Sequence, residues 1–140
     1  GRRRGGSSAA SEVYKGQFEY TTIHFGAALG LAAAVDELVQ MGMDEVWRHD
    51  LSLADSVIEG AVNLDLKIAS PLSQAERSAI VSLRLPEGVS SEEVARRLQD
   101  EYGILVTSRA GLLRVSPHID NDADDVGMLL EALAETLAQM

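Results

Sequence analysis

The densest polar cluster in the sequence comes late: Arg109, then Arg114-Val115-Ser116-Pro117-His118, then Asn121. Arg114 stands in a run of alternating character. On a strand its side chain would share a face with Leu112 and Ser116 and oppose Leu113 and Val115. A planar guanidinium suits bidentate binding of a carboxylate, and a buried one without a partner is destabilising. On spacing alone, a salt bridge to one of the chain's many acidic side chains is the favoured reading of Arg114. His118, following a proline at a strand end, reads as a capping or packing residue, because no His, Asp or Glu stands at a recognisable metal-ligand or acid-base spacing from it. The acidic run from Asp120 to Asp125 lacks the closing glutamate of a calcium loop and reads as the start of a helix.

A second cluster, Phe18-Glu19-Tyr20-Thr21-Thr22, precedes an alanine-rich stretch. Threonines ahead of a helix cap it, and the same hydroxyls and free amides can hold a phosphate. Trp47 is expected in the core. No nucleotide-binding glycine loop and no Ser-His-Asp arrangement is visible, and Gly26 and Gly30 suit close helix packing.

The elements that must position these residues follow from periodicity. Phe25 to Met41 predicts a mostly buried helix ending at Gly42, and Asp44 opens a long amphipathic helix through Val46, Leu53, Val57 and Ala61. Leu64 to Ile68 predicts an edge or half-buried strand, and Ala79 to Leu85 a second strand closed by a turn at Pro86, Glu87 and Gly88. Ser90 or Ser91 caps a helix running to Gly103. Ile104 to Thr107 and Leu112 to Ser116 predict an antiparallel pair joined by Ser108 to Gly111. After Pro117 the run Asp120 to Asp122 caps an amphipathic helix through Val126, Leu129, Leu133 and Leu137. The expected class is α+β: two helices, then a mainly antiparallel sheet with helices packed on one face, in the order ααββαββα.

Composition bounds the partners. With 22 acidic against 12 basic residues and a net charge of -10, the surface repels nucleic-acid phosphates and anionic lipid, so neither nucleic acid nor membrane is an expected partner. The longest apolar stretch, Phe25 to Val35, is far short of the roughly 20 residues a bilayer crossing needs. The chain has no cysteine, which excludes disulfides, thiolate nucleophiles and sulfur-ligated metal, and suits a cytoplasmic location. Residues 1–17, with Arg2 to Arg4 followed by Gly5, Gly6, Ser7 and Ser8, are expected to be a flexible lead-in, and 18–140 one domain.

Both clusters resemble parts of one family. QFEYTTIHFGAALGLAAAVDELVQMG is similar to the stretch of class V aminotransferases in which a Phe-Glu-x-Gly-Thr motif leads into a helix. RSAIVSLRLPEGVSSEEVARRLQDEYGILVTSRAGLLRVSPHIDND is similar to the family's closing part, with its Arg-hydrophobic-Ser-Pro-His signature, an asparagine and an amphipathic helix. The resemblance covers nearly everything after Gln17. It implies the C-terminal small domain of a fold-type I pyridoxal-phosphate enzyme, a homodimer acting on an amino acid as an aminotransferase, epimerase or lyase. Arg114 would bind the substrate α-carboxylate, with Arg109, His118 and Asn121 around it. Thr22, with Thr21 where the family has glycine, would reach the cofactor phosphate. The family's Schiff-base lysine belongs to an upstream large domain; Lys15 and Lys67 do not match it, so this chain alone is expected to be inactive and to bind no cofactor. Desulfurases of the family carry a cysteine on the loop before the closing arginine; Thr107 to Leu113 has none, which disfavours a desulfurase of that type. A free-standing, non-catalytic module for dimerisation or for binding small carboxylates is the alternative. A domain separated from its larger partner is expected to expose part of the helix from Phe25 to Val39 and to self-associate.

Overall fold

Alternation along the strands sorts the side chains into a covered and an open layer. The computed structural model describes residues 24–140. Its elements are α1 (Phe25–Met41), α2 (Met43–Asn63), β1 (Lys67–Ile68), β2 (Val81–Arg84), α3 (Ser91–Tyr102), β3 (Thr107–Arg109), β4 (Leu112–Val115) and α4 (Ala123–Ala138). The order is the expected ααββαββα and the class is α+β. The expected lead-in 1–17, Lys15, Thr21 and Thr22 lie outside the described residues. The chain divides into two units, residues 1–40 and 41–140.

In the second unit the four strands form an antiparallel sheet in the order β1-β2-β4-β3. Val81 and Leu83 on β2, with Leu113 and Val115 on β4, point to one face and are buried there. Helices α2, α3 and α4 cover that face and contribute Leu53, Val57, Val94, Leu98, Leu129 and Leu133 to a single core. The buried stripe of α2 recurs at helical spacing through Val46, Asp50, Leu53, Ala54, Val57 and Ala61. Trp47 is one residue off that stripe and is 47% exposed, which corrects its expected place in the core. Helices α2 and α4 approach closely at Gly60: a Cβ there would lie 2.1 Å from Leu130 Cδ1.

The caps formed as expected. Ser90 accepts a hydrogen bond from the Glu93 amide, and Gly103 ends α3 with φ 72°. Asp122 accepts from the amides of Asp124 and Asp125, and the Asp125 carboxylate accepts from the Asp122 amide, a closed capping box. The hairpin differs. The Ile104 amide closes the end of α3 onto the Leu98 carbonyl. Strand β3 consequently begins at Thr107, not Ile104, and the loop shortens to Ala110 and Gly111, both at positive φ (51° and 75°). That is the backbone a two-residue hairpin favours, because its twist matches the flanking strands.

Helix α1 forms over the expected span, but it has no buried residue, and Phe25 is 75% exposed. The expectation of a mostly buried helix is corrected, whereas the expected exposure of Phe25 to Val39 is observed. Apolar composition buries a helix only where another element lies against it, and α1 is the sole element among the described residues of its unit. Gly30 has open space where a Cβ would stand. No single helix among the described residues is long and apolar enough to cross a membrane.

Candidate carboxylate site

Arg114 sits mid-strand on β4, between Leu113 and Val115, whose side chains enter the core. Pleating therefore turns Arg114 to the open face of the sheet, away from the three helices. Across the ladder it is flanked by Ser82 of β2 and Thr107 of β3. The guanidinium Nε is buried yet has no hydrogen-bond partner among the described residues. A desolvated cationic donor in this position lacks an acceptor, and a carboxylate supplies one in matching planar geometry. The salt bridge that spacing alone allowed is not formed among the described residues.

The arginines of the helices and of the β1–β2 connection all make ion pairs, although Arg77 Nε is, like Arg114 Nε, buried without a hydrogen-bond partner among the described residues. Arg48 pairs with Glu45, Arg77 with Asp55, Arg96 with Glu93 and Asp100, and Arg97 with Glu101. The Arg96 hydrogen bond holds the Glu93 carboxyl below the usual value, and the Arg97 hydrogen bond does the same for Glu101. Acidic partners are plentiful where the helices are. Arg114 has none.

The predicted site residues divide between the two faces. Arg109, on β3 two residues beyond Thr107, is exposed on the same open face as Arg114. His118 and Asn121 are instead held to the helix layer. His118 Nδ1 lies 2.9 Å from Asp50 Oδ2 of α2, and His49 Nε2 lies 2.9 Å from the Asn121 carbonyl oxygen. Asn121 Nδ2 donates to Asp125 at 3.1 Å, and its Oδ1 accepts from the His118 amide at 3.1 Å. Together these bonds tie the turn after β4 to both α2 and α4. Asp50, 7% exposed, is the partner that sequence spacing did not reveal. Its signal was legible as an acid on the buried stripe of a helix, since such a residue needs a polar partner.

Among the described residues no group of His, Cys, Asp or Glu side chains suits a metal ion.

A four-stranded antiparallel sheet covered by helices on one face matches the small domain of fold-type I pyridoxal-phosphate enzymes. The chain belongs to the class-V aminotransferase family, whose model matches residues 7–129. The family depends on pyridoxal phosphate. A probable cysteine desulfurase of Pyrococcus abyssi is 26% identical over 137 residues, covering 89% of this chain and 34% of that protein. A probable cysteine desulfurase of Streptomyces coelicolor is 34% identical over 91 residues, covering 64% of this chain and 21% of that protein. Among solved structures, the apo cysteine desulfurase of Thermococcus onnurineus NA1 superposes with a TM-score of 0.79 at 26% identity, covering 88% of this chain and 34% of that one. The chain thus spans about a third or less of the length of these relatives.

The described residues fit a carboxylate better than they fit the cofactor. Arg114 offers the orphaned donor a carboxylate needs, whereas Lys67, the single lysine among them, is exposed on edge strand β1. A Schiff-base lysine is activated by a desolvated pocket or a neighbouring cation in a buried setting, and an exposed edge strand provides neither enclosure nor a ring cradle.

Proposed function

We propose that this chain is the C-terminal domain of a pyridoxal-phosphate enzyme acting on an amino acid, in which Arg114 binds the substrate α-carboxylate. The observation that carries the reading is the buried Arg114 Nε without an acceptor on the open face of the sheet, in a chain of this family. Ser82 and Thr107 flank it with hydroxyls that can share the carboxylate oxygens. Arg109 adds positive charge from β3. His118 and Asn121 position the end of β4 through Asp50 and Asp125 and thereby hold the strand that bears Arg114. In the assembled enzyme the cofactor supplies the electron sink for chemistry at the α-carbon, and a large domain, with Thr22 of this chain at the phosphate, holds it within a homodimer. The chain by itself forms no covalent link to the cofactor.

The family relatives are named as probable cysteine desulfurases, which favours lyase chemistry for the parent. A desulfurase with its cysteine on the β3–β4 connection is disfavoured, because that connection is the two-residue turn Ala110-Gly111.

The test is binding of L-alanine to the full chain, followed by NMR, with Arg114→Gln as the variant. Loss of the charge-assisted bidentate contact should weaken binding by about tenfold or more. Unchanged binding would remove Arg114 from the site. In parallel, borohydride reduction after adding pyridoxal phosphate should label no lysine stoichiometrically, and a label on Lys15 or Lys67 would overturn the inactive-alone reading.

A further inference from the structure

The open face of the sheet carries more than one unpaired cation. Ser82 is opposite Arg114 on β2 and Thr107 is opposite it on β3, so Arg84 and Arg109, each two residues along, are both diagonal neighbours of Arg114. Diagonal positions on an antiparallel ladder lie about 7–8 Å apart, within reach of long side chains. Lys67 stands directly opposite Arg84 on β1. Among the described residues none of these cations makes an ion pair, whereas Arg48, Arg77, Arg96 and Arg97 of the helix layer and the β1–β2 connection all do. No outward-facing position of the four strands is acidic, in a chain of net charge -10. Asp65 and Glu87 line a cleft of about 430 Å³ with Lys67 and Arg84, yet neither pairs with them.

Like charges set side by side repel, weakly here because Arg84, Arg109 and Lys67 are exposed to water, and an anion entering among them turns that repulsion into attraction. One carboxylate satisfies Arg114 and leaves Arg84 and Arg109 unmatched. We infer that the site takes an amino acid whose side chain ends in a second anion, a carboxylate or a phosphate, with Arg114 on the α-carboxylate and Arg84 and Arg109 on the second group. The inference rests on the carboxylate reading of Arg114 and adds to it the class of substrate. The separation of the arginines suits the two ends of a short acidic amino acid, and guanidinium forks match carboxylate and phosphate oxygens alike. Leu112, half-buried between Arg84 and Arg109, gives the aliphatic part of such a ligand an apolar floor.

The test uses the isotope-labelled full chain, titrated at constant ionic strength with L-alanine, L-glutamate and O-phospho-L-serine while the arginine Nε–H signals are followed. At least one of the two acidic ligands should bind about tenfold more tightly than L-alanine, and comparing them identifies the second anion. In the Arg84→Gln/Arg109→Gln double variant the ratio of affinities, acidic ligand to alanine, should fall to near one. Equal affinity for all three ligands, or a preference that persists in the double variant, would overturn the inference. Arg114→Gln separates the two readings: if it weakens L-alanine while no acidic ligand is preferred, only the substrate class fails. If it leaves L-alanine untouched, the carboxylate reading fails. No signal change with any ligand at the limit of its solubility would sink both.

Discussion

Arg114 reaches the open face because Leu113 and Val115 do not. Its neighbours are committed to the core by apolar burial, and the pleat then leaves the guanidinium no choice of side. The same hairpin contains a less favourable residue: Ala110 holds φ 51°, where a Cβ crowds the following carbonyl. Ala110→Gly should remove that strain against the greater flexibility of glycine in the unfolded chain, for a net gain of about 0.5–1 kcal/mol. An unchanged or lower urea midpoint would show that the alanine sits there without strain. This strain was not legible in the sequence. Ser108 to Gly111 predicts a loop of ordinary length, and only the strand register shows that Arg109 and Leu112 are paired and the turn is two residues long.

At the scale of elements, helix ends were the most legible features, because a cap is a local interaction between residues a few positions apart. Ser90, Gly103 and Asp122 all act where side-chain chemistry placed them. The start of β3 was less legible. Ile104 to Val106 have strand-forming side chains, but the first amide of that run is already used by α3. The trio of Arg84, Arg109 and Arg114 was legible only in part: alternation gives the face of Arg114, whereas the pairing of β2 with β4 is non-local. The packing of α2 on α4 makes a separate prediction. Gly60→Ala gains helix propensity of up to about 1 kcal/mol but drives a methyl into Leu130, an overpacking loss of about 1–3 kcal/mol. The single variant should be destabilised by roughly 1 kcal/mol. In a Leu130→Ala background the same substitution should become stabilising. Additive effects in the double-mutant cycle, measured by denaturant unfolding, would show that the two helices do not touch as described.

For the whole molecule, the buried core seen among the described residues lies in one unit. Every buried residue of the hydrophobic cluster falls between Leu53 and Leu133. A chain reduced to residues 41–140 should therefore keep a single cooperative unfolding transition. Its midpoint should move by less than the roughly 4–8 °C that about 1 kcal/mol produces in a domain of this size. Loss of cooperativity on calorimetry would show that residues 1–40 supply part of the core. Charge is also organised at this scale: among the described residues, the arginines of the helix layer and the β1–β2 connection are paired with carboxylates, and the cations on the sheet face away from α2, α3 and α4 are not.

That segregation has a consequence for misfolding. Side chains alternate with a period of two, so a slip of β4 by one residue against β2 would turn Arg114 inward among Leu83 and Leu133 and bring Leu113 and Val115 out to water. Burying an unpaired guanidinium is among the most unfavourable changes a small core can suffer, and the slipped pairing would lose two large apolar contacts as well. Arg114 thus penalises a slipped strand register during folding.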